Sequence, residues 1–304
     1  MKIQSLSIVV PTNNKCINNC KFCVSRTHTN PYPDRINKIS HEYIDSEHFI
    51  RKIISQENIY YKDYFNRLQT ARDNGCNVVV LTGTGEPIQN KKFLEFFSEV
   101  NSSLQTPFKN IEIQTTGVIL DIFNLNWLRQ KIGVTTISFS ISNIFDNNRN
   151  LKIIGCSDNL KFNVFETIKL AKELDFNVRL SLNLVNDYDN YTVEEVINRC
   201  VELGADQVTF RKLYNSDEDL DVNVWVEMNK SIKFYDELIK YVNENGKILS
   251  VLPFGANSYN IKDMSVVVDN DCMSQEIKDT YKYVVLRENG KLYSRWETKS
   301  SLIF

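Results

Sequence analysis

Short runs of apolar and β-branched residues recur along the first two thirds of the chain, at 5–10, 77–81, 110–115, 135–141, 177–185 and 207–213, with amphipathic stretches between them. Strand-like runs alternating with helix-like ones predict parallel βαβ units, since a parallel strand pair needs a crossover long enough to hold a helix. Most of these runs are apolar enough to be expected buried on both faces. Helices are expected at 61–74, 91–103, 164–174 and 192–203. Gly75 and Gly204 close the first and last of these, and Thr192 with Glu195 three residues on makes a capping box. Six βα units result, and the expected fold is α/β, a partial (β/α)6 TIM-like barrel with strand ends open for a site.

After Tyr214 the pattern changes. A helical stretch at 222–243 is followed by an apolar run at 248–254 and by two alternating runs within 281–296 that flank Glu288-Asn289-Gly290, a hairpin signature. The expected organisation is a barrel core over 1–214 and a C-terminal α+β extension over 215–304 that caps it.

Composition narrows the function classes. With 304 residues and 42% hydrophobic content the chain can bury a large core. Its 36 basic and 38 acidic residues give a net charge of −2, which supplies no global attraction to nucleic acid or to an anionic membrane. No stretch approaches the ~20 apolar residues of a membrane span, and a cytoplasmic protein is expected. Seven cysteines, three of them within 16–23, do not resemble a disulfide framework.

Those three stand directly after the first strand in Cys16-Ile-Asn-Asn-Cys20-Lys-Phe-Cys23, on a loop at its carboxyl end. Three thiolates this close converge on one metal centre. A four-iron cubane held by three cysteines leaves one iron open to a small molecule, whereas His28 as a fourth ligand would make structural zinc. The spacing leaves both open. Further on, Thr82-Gly83-Thr84-Gly85-Glu86-Pro87 ends the second strand, where backbone carbonyls and the Glu86 carboxylate are suited to an ammonium group.

The cysteine spacing, with Phe22 before the last cysteine, resembles the signature of the radical SAM superfamily, and Gly85-Glu86-Pro87 resembles that family's Gly-Gly-Glu-Pro, with Thr84 in the first glycine's place. Gln114-Thr115-Thr116-Gly117 is similar to its Thr-Asn-Gly, and Ser138 to Ser142 to a Val-Ser-Leu-Asp segment. The resemblance implies that Cys16, Cys20 and Cys23 hold one 4Fe-4S cluster. It also implies that S-adenosylmethionine (SAM) chelates the fourth iron, with Phe22, Gly83, Thr84, Gly85, Glu86, Thr116, Ser140, Asn183 and Arg211 as candidate SAM contacts. The activity implied is reductive cleavage of SAM to a 5′-deoxyadenosyl radical that abstracts hydrogen from a peptide, amino acid or other small molecule. An electron donor such as flavodoxin or ferredoxin is then the expected partner, and nucleic acid and membrane are not. Cys272 is a candidate hydrogen-atom donor, Cys156 a second, and the insert 24–62 is expected to face substrate. Modification of tRNA or a nucleotide is the alternative within this chemistry, and a non-catalytic zinc-stabilised binding protein the alternative outside it.

Overall fold

The computed structural model describes residues 2–11, 16–27, 59–156, 162–252, 257–269, 279–296 and 299–303. The six expected strands form in order: β1 (Lys2–Val9), β2 (Val78–Thr82), β3 (Asn110–Thr115), β4 (Thr136–Ile141), β5 (Asn177–Asn183) and β6 (Gln207–Arg211). Each pairs in parallel with the next. The crossovers carry α1 (Ile59–Asp73), α2 (Lys91–Ser102), α3 (Ile122–Trp127), α4 (Asn147–Ile154), α5 (Val164–Glu173) and α6 (Val193–Glu202). The capping box forms as expected, with Glu195 N donating to Thr192 Oγ1 and Thr192 N donating to Glu195 Oε2.

The strands alternate more than the sequence reading expected. Ile137, Phe139, Leu180 and Phe210 are fully buried in the main core, where each such side chain contributes ~1.5–3 kcal/mol. The intervening positions are polar: Ser138 and Ser140 on β4, Arg179 and Ser181 on β5, Gln207 and Thr209 on β6. A parallel strand covered on both faces keeps this period-2 contrast when its second face lines a cavity instead of a core.

The chain after 214 joins the same sheet. It contributes helices α7 (Asp221–Asn229) and α8 (Lys233–Asn245), then β7 (Lys247–Val251), β8 (Asn257–Ile261), β9 (Met264–Asp269), β10 (Thr280–Leu286) and β11 (Leu292–Tyr293). β9 pairs in parallel with β6, and β10 in parallel with β1, so eight parallel strands stand in the row β10-β1-β2-β3-β4-β5-β6-β9. β11 extends one edge and β8 and β7 the other, all antiparallel. The row is curled, because Lys282 of β10 and Asp269 of β9, on its two end strands, meet at 3.2 Å.

Two local differences have clear causes. The helical stretch 222–243 is two helices, broken where Lys230 turns extended and bridges Val185, and Asp189 accepts from Ser231 Oγ and from Phe234 N at the start of α8. The β8–β9 turn was not anticipated, since Lys262 and Asp263 both adopt positive φ without a glycine, helped by Asp263 N donating to Asn260 Oδ1. The hairpin around Glu288-Asn289-Gly290 forms as expected, with Gly290 at φ 71°.

Candidate active site at the cysteine loop and the lumen

The cysteine loop is seated on the carboxyl end of α4. Asn19 N and Lys21 N donate to the carbonyls of Ile154 and Ile153, both at 3.0 Å, so the loop uses acceptors that a helix end leaves open. The approach demands glycine at 155. Its φ is 60°, and a Cβ there would sit 2.5 Å from the Asn19 carbonyl oxygen. From the other side Ile17 N donates to Gln89 Oε1 at 3.0 Å, and Arg26 donates to Asn19 Oδ1 at 2.6 Å and to the Cys20 carbonyl.

Held this way, Cys16, Cys20 and Cys23 are half-buried and act on one another. Burial pushes the Cys16 thiol up, with the Glu86 carboxylate and Cys23 adding to it. Burial also pushes Cys20 up, reinforced by Cys23, Cys16 and Glu86. Neutral thiols are what such a desolvated group of sulfurs favours, so a positively charged centre is needed to hold them as thiolates. Among the described residues no three His, Cys, Asp or Glu side chains close on a single-ion position. His28 lies outside the described residues.

Next to the thiols lies a buried carboxylate. Glu86 is 3% exposed; Thr116 N and Oγ1 donate to its Oε2 at 3.1 and 3.0 Å, and Asn18 Nδ2 bridges to Thr116 Oγ1 at 2.8 Å. Its Oε1 is buried with no partner, as is Asn18 Oδ1. Burial pushes the Glu86 carboxyl above its ordinary range, although the neighbouring hydroxyls of Thr115 and Thr116 and the Thr116 N–H favour its charged form. An unpartnered oxygen on a buried carboxylate is a place for a cationic donor.

Gly83 is also required by the fold itself. A Cβ there would meet the Val10 carbonyl oxygen at 2.6 Å, so this glycine lets β1 and the end of β2 close together. Thr84 and Gly85 follow it at intermediate exposure, and Phe22 packs on the edge of the main core. Ser140 and Asn183 are brought together, with Asn183 Nδ2 donating to Ser140 Oγ at 3.0 Å. Cys156 directly follows Gly155, beside the cysteine loop, and Cys272 lies outside the described residues, as does the stretch 28–58 of the insert 24–62.

Inside the curled sheet is a cavity of about 610 Å³. It reaches from Val24, Ser25 and Gly83, beside the cysteine loop, to the polar strand positions, and Arg211 is among its lining residues. Sequence reading missed four further charges in this lining. Glu112 and Arg179 pair at 2.5 Å, Arg179 also donating to Gln207, and Asp269 and Lys282 form the pair across the row's ends. The signal for Glu112 and Arg179 was present: each is a charge flanked by apolar residues, Ile111 and Ile113 for one and Val178 and Leu180 for the other.

The sequence profile of the radical SAM superfamily matches residues 10–200. The chain belongs to the radical SAM superfamily. As a radical SAM enzyme it uses a 4Fe-4S cluster and SAM. The donor set present fits that cluster, three cysteines on one loop beside a carboxylate with a free oxygen. The reading as a non-catalytic zinc-stabilised binding protein is thereby set aside. Among solved structures, "Native anSMEcpe with bound AdoMet" is similar at a TM-score of 0.57 and 13% identity, covering 98% of this chain and 75% of that one. The same protein with bound AdoMet and Cp18Cys peptide is similar at 0.58 and 12%, covering 96% and 73%. At such identity the likeness is one of fold, a radical SAM barrel. No curated protein matches the sequence. Among the described residues no helix is long and apolar enough to cross a membrane.

Proposed function

We propose that this radical SAM enzyme removes a hydrogen atom from a peptide, amino acid or other small molecule held in its lumen. The observation that carries the reading is the cavity beside Val24 and Ser25, next to Cys23, which the inner faces of the curled sheet line with polar and charged side chains among apolar ones. A cluster held by Cys16, Cys20 and Cys23 would supply the one-electron reduction of the SAM sulfonium, which would yield methionine and the 5′-deoxyadenosyl hydrogen acceptor.

Cys16, Cys20 and Cys23 hold the cluster in this reading. Glu86 offers its free Oε1 to the SAM ammonium, and Thr116 and Asn18 fix the carboxylate from its other oxygen. The backbone of Gly83, Thr84 and Gly85 borders that position, Phe22 closes the loop onto the core, and the Ser140–Asn183 pair faces the lumen with hydroxyl and amide groups suited to a ribose. The extension 215–304 supplies the lateral wall through β9 and β10. An electron carrier such as flavodoxin or ferredoxin serves as reductant. The net charge of −2 favours a small molecule or peptide over tRNA.

The test is the rate of 5′-deoxyadenosine formation by the reduced, reconstituted protein with free amino acids, short peptides or bulk tRNA added. Stimulation by amino acids or peptides and none by tRNA supports the reading; stimulation by tRNA alone overturns it.

A further inference from the structure

The charges lining the cavity are compensated with one exception. Arg179 is paired with Glu112 at 2.5 Å, and Lys282 with Asp269 at 3.2 Å. Arg211, on the same lumen face of β6 as Thr209 and Gln207, has no hydrogen bond or ion pair from its side chain among the described residues, and its Nε is fully buried. Asp269 stands beside it in the β6–β9 register, yet its carboxylate is engaged by Lys282. A partly buried cation with no counter-charge bonded to it is a place where an anionic ligand is favoured.

The position separates Arg211 from the pocket at Glu86. Glu86 follows β2, and β6 is four strands further along a curled row of eight parallel strands. At ~4.8 Å per strand that is the opposite wall of the lumen. The ammonium and carboxylate of SAM are borne on one carbon, so both belong beside Glu86 and the cysteine loop; Arg211, the register partner of Asn183, stands at the ribose end, where SAM offers no anion.

We propose that Arg211, taken from the sequence as a SAM contact, instead binds the carboxylate of the substrate, and that the substrate is a small carboxylic acid of amino-acid or peptide-terminus type. This rests on the reading of the lumen as the reaction chamber. A single uncompensated guanidinium matches a single carboxylate in charge and in its two-pronged donor geometry, whereas a phosphate near −2 would call for further cations. A neutral analogue would leave Arg211 unpaired and be rejected, which makes this residue a determinant of specificity.

The test uses the full-length, anaerobically reconstituted protein with SAM bound, and N-acetyl amino acids with their uncharged amides as probes, read by calorimetric or thermal-shift titration. Wild type is expected to bind the acids and not the amides. Arg211→Met is expected to weaken the acids at least tenfold, about the loss of one charged hydrogen bond, while its iron content and SAM affinity stay within about threefold of wild type, a change under ~1 kcal/mol. Arg211→Lys, which keeps the charge and loses the fork, should fall between. A tenfold or greater loss of SAM affinity in Arg211→Met would overturn the proposal and return Arg211 to the cofactor; equal binding of acids and amides by wild type would overturn it as well. If the protein takes up no iron and binds no SAM, the reaction-chamber reading fails separately, and the same acid–amide comparison on the cofactor-free protein still reads the Arg211 site.

Discussion

Thr116 Oγ1 donates to Glu86 Oε2 at 3.0 Å, while Oε1 of that buried carboxylate has no partner. The pair therefore presents a fixed acceptor whose orientation is set by the protein before any ligand arrives. Replacing Glu86 with Gln removes the charge and keeps the shape. SAM affinity of the reconstituted protein should fall roughly 10- to 100-fold, the ~1.5–3 kcal/mol of a hydrogen bond to a charged group. Thr116→Val should cost about tenfold or less, because it loosens the carboxylate without removing it. Equilibrium binding of SAM checks both, and an unchanged affinity in Glu86→Gln would contradict the assignment.

Gly155 and Gly133 both sit in the left-handed region, at φ 60° and 82°. A Cβ at 155 collides with the Asn19 carbonyl at 2.5 Å, whereas at 133 it meets only Ile111 Cδ1 at 3.7 Å. Each alanine substitution should lower stability by ~1–2 kcal/mol through backbone strain. Only Gly155→Ala should also reduce iron uptake, because only there does the cysteine loop have to move. Iron content per chain, measured beside the unfolding midpoint, separates the two effects.

Glu112 and Arg179 form an ion pair inside the lumen with the carboxylate almost fully buried. Arg179→Met strands that carboxylate and should destabilise the fold by about 3 kcal/mol. Adding Glu112→Leu should recover most of the loss, since an apolar pair of similar volume has no charge to desolvate. Denaturant unfolding of the two single variants and the double variant tests this, and additive losses would contradict it.

The six-stranded core and the cysteine loop were legible because they depend on local patterns, β-branched runs punctuated by glycine and three thiols on one loop. What was not legible depends on pairing between distant segments. Nothing at 264–269 or 280–286 announces that these strands would flank β6 and β1, because parallel register is set by the strands already present. Asn18 and Gln89 were missed for a similar reason: neither residue type carries a chemical signal, and each matters only through the partner that folding brings to it. Gly83 was legible as a glycine, but its close approach to Val10 was not, since only folding brings the two strand ends together.

Burial in the β10–β11 turn pushes the Glu288 carboxyl up to about 7. In the unfolded chain the same group ionises near 4.5. Between those values the unfolded state releases a proton that the folded state retains, so folded stability falls as pH rises across that window and levels off above it. Each pH unit within it is worth about 1.4 kcal/mol. Glu288→Gln should lack this component, so its stability relative to wild type should improve steadily from pH 5 to pH 7. Parallel curves for the two proteins would contradict it.

The central claim is that the cysteine loop holds a cluster which cleaves SAM, and the most direct measurement is iron content together with 5′-deoxyadenosine formation after anaerobic reconstitution, reduction with dithionite and addition of SAM. Wild type should carry about four irons for a single cubane and form 5′-deoxyadenosine, while Cys16→Ala, Cys20→Ala and Cys23→Ala should each lose the product. One zinc, no iron and no 5′-deoxyadenosine in wild type would contradict the account.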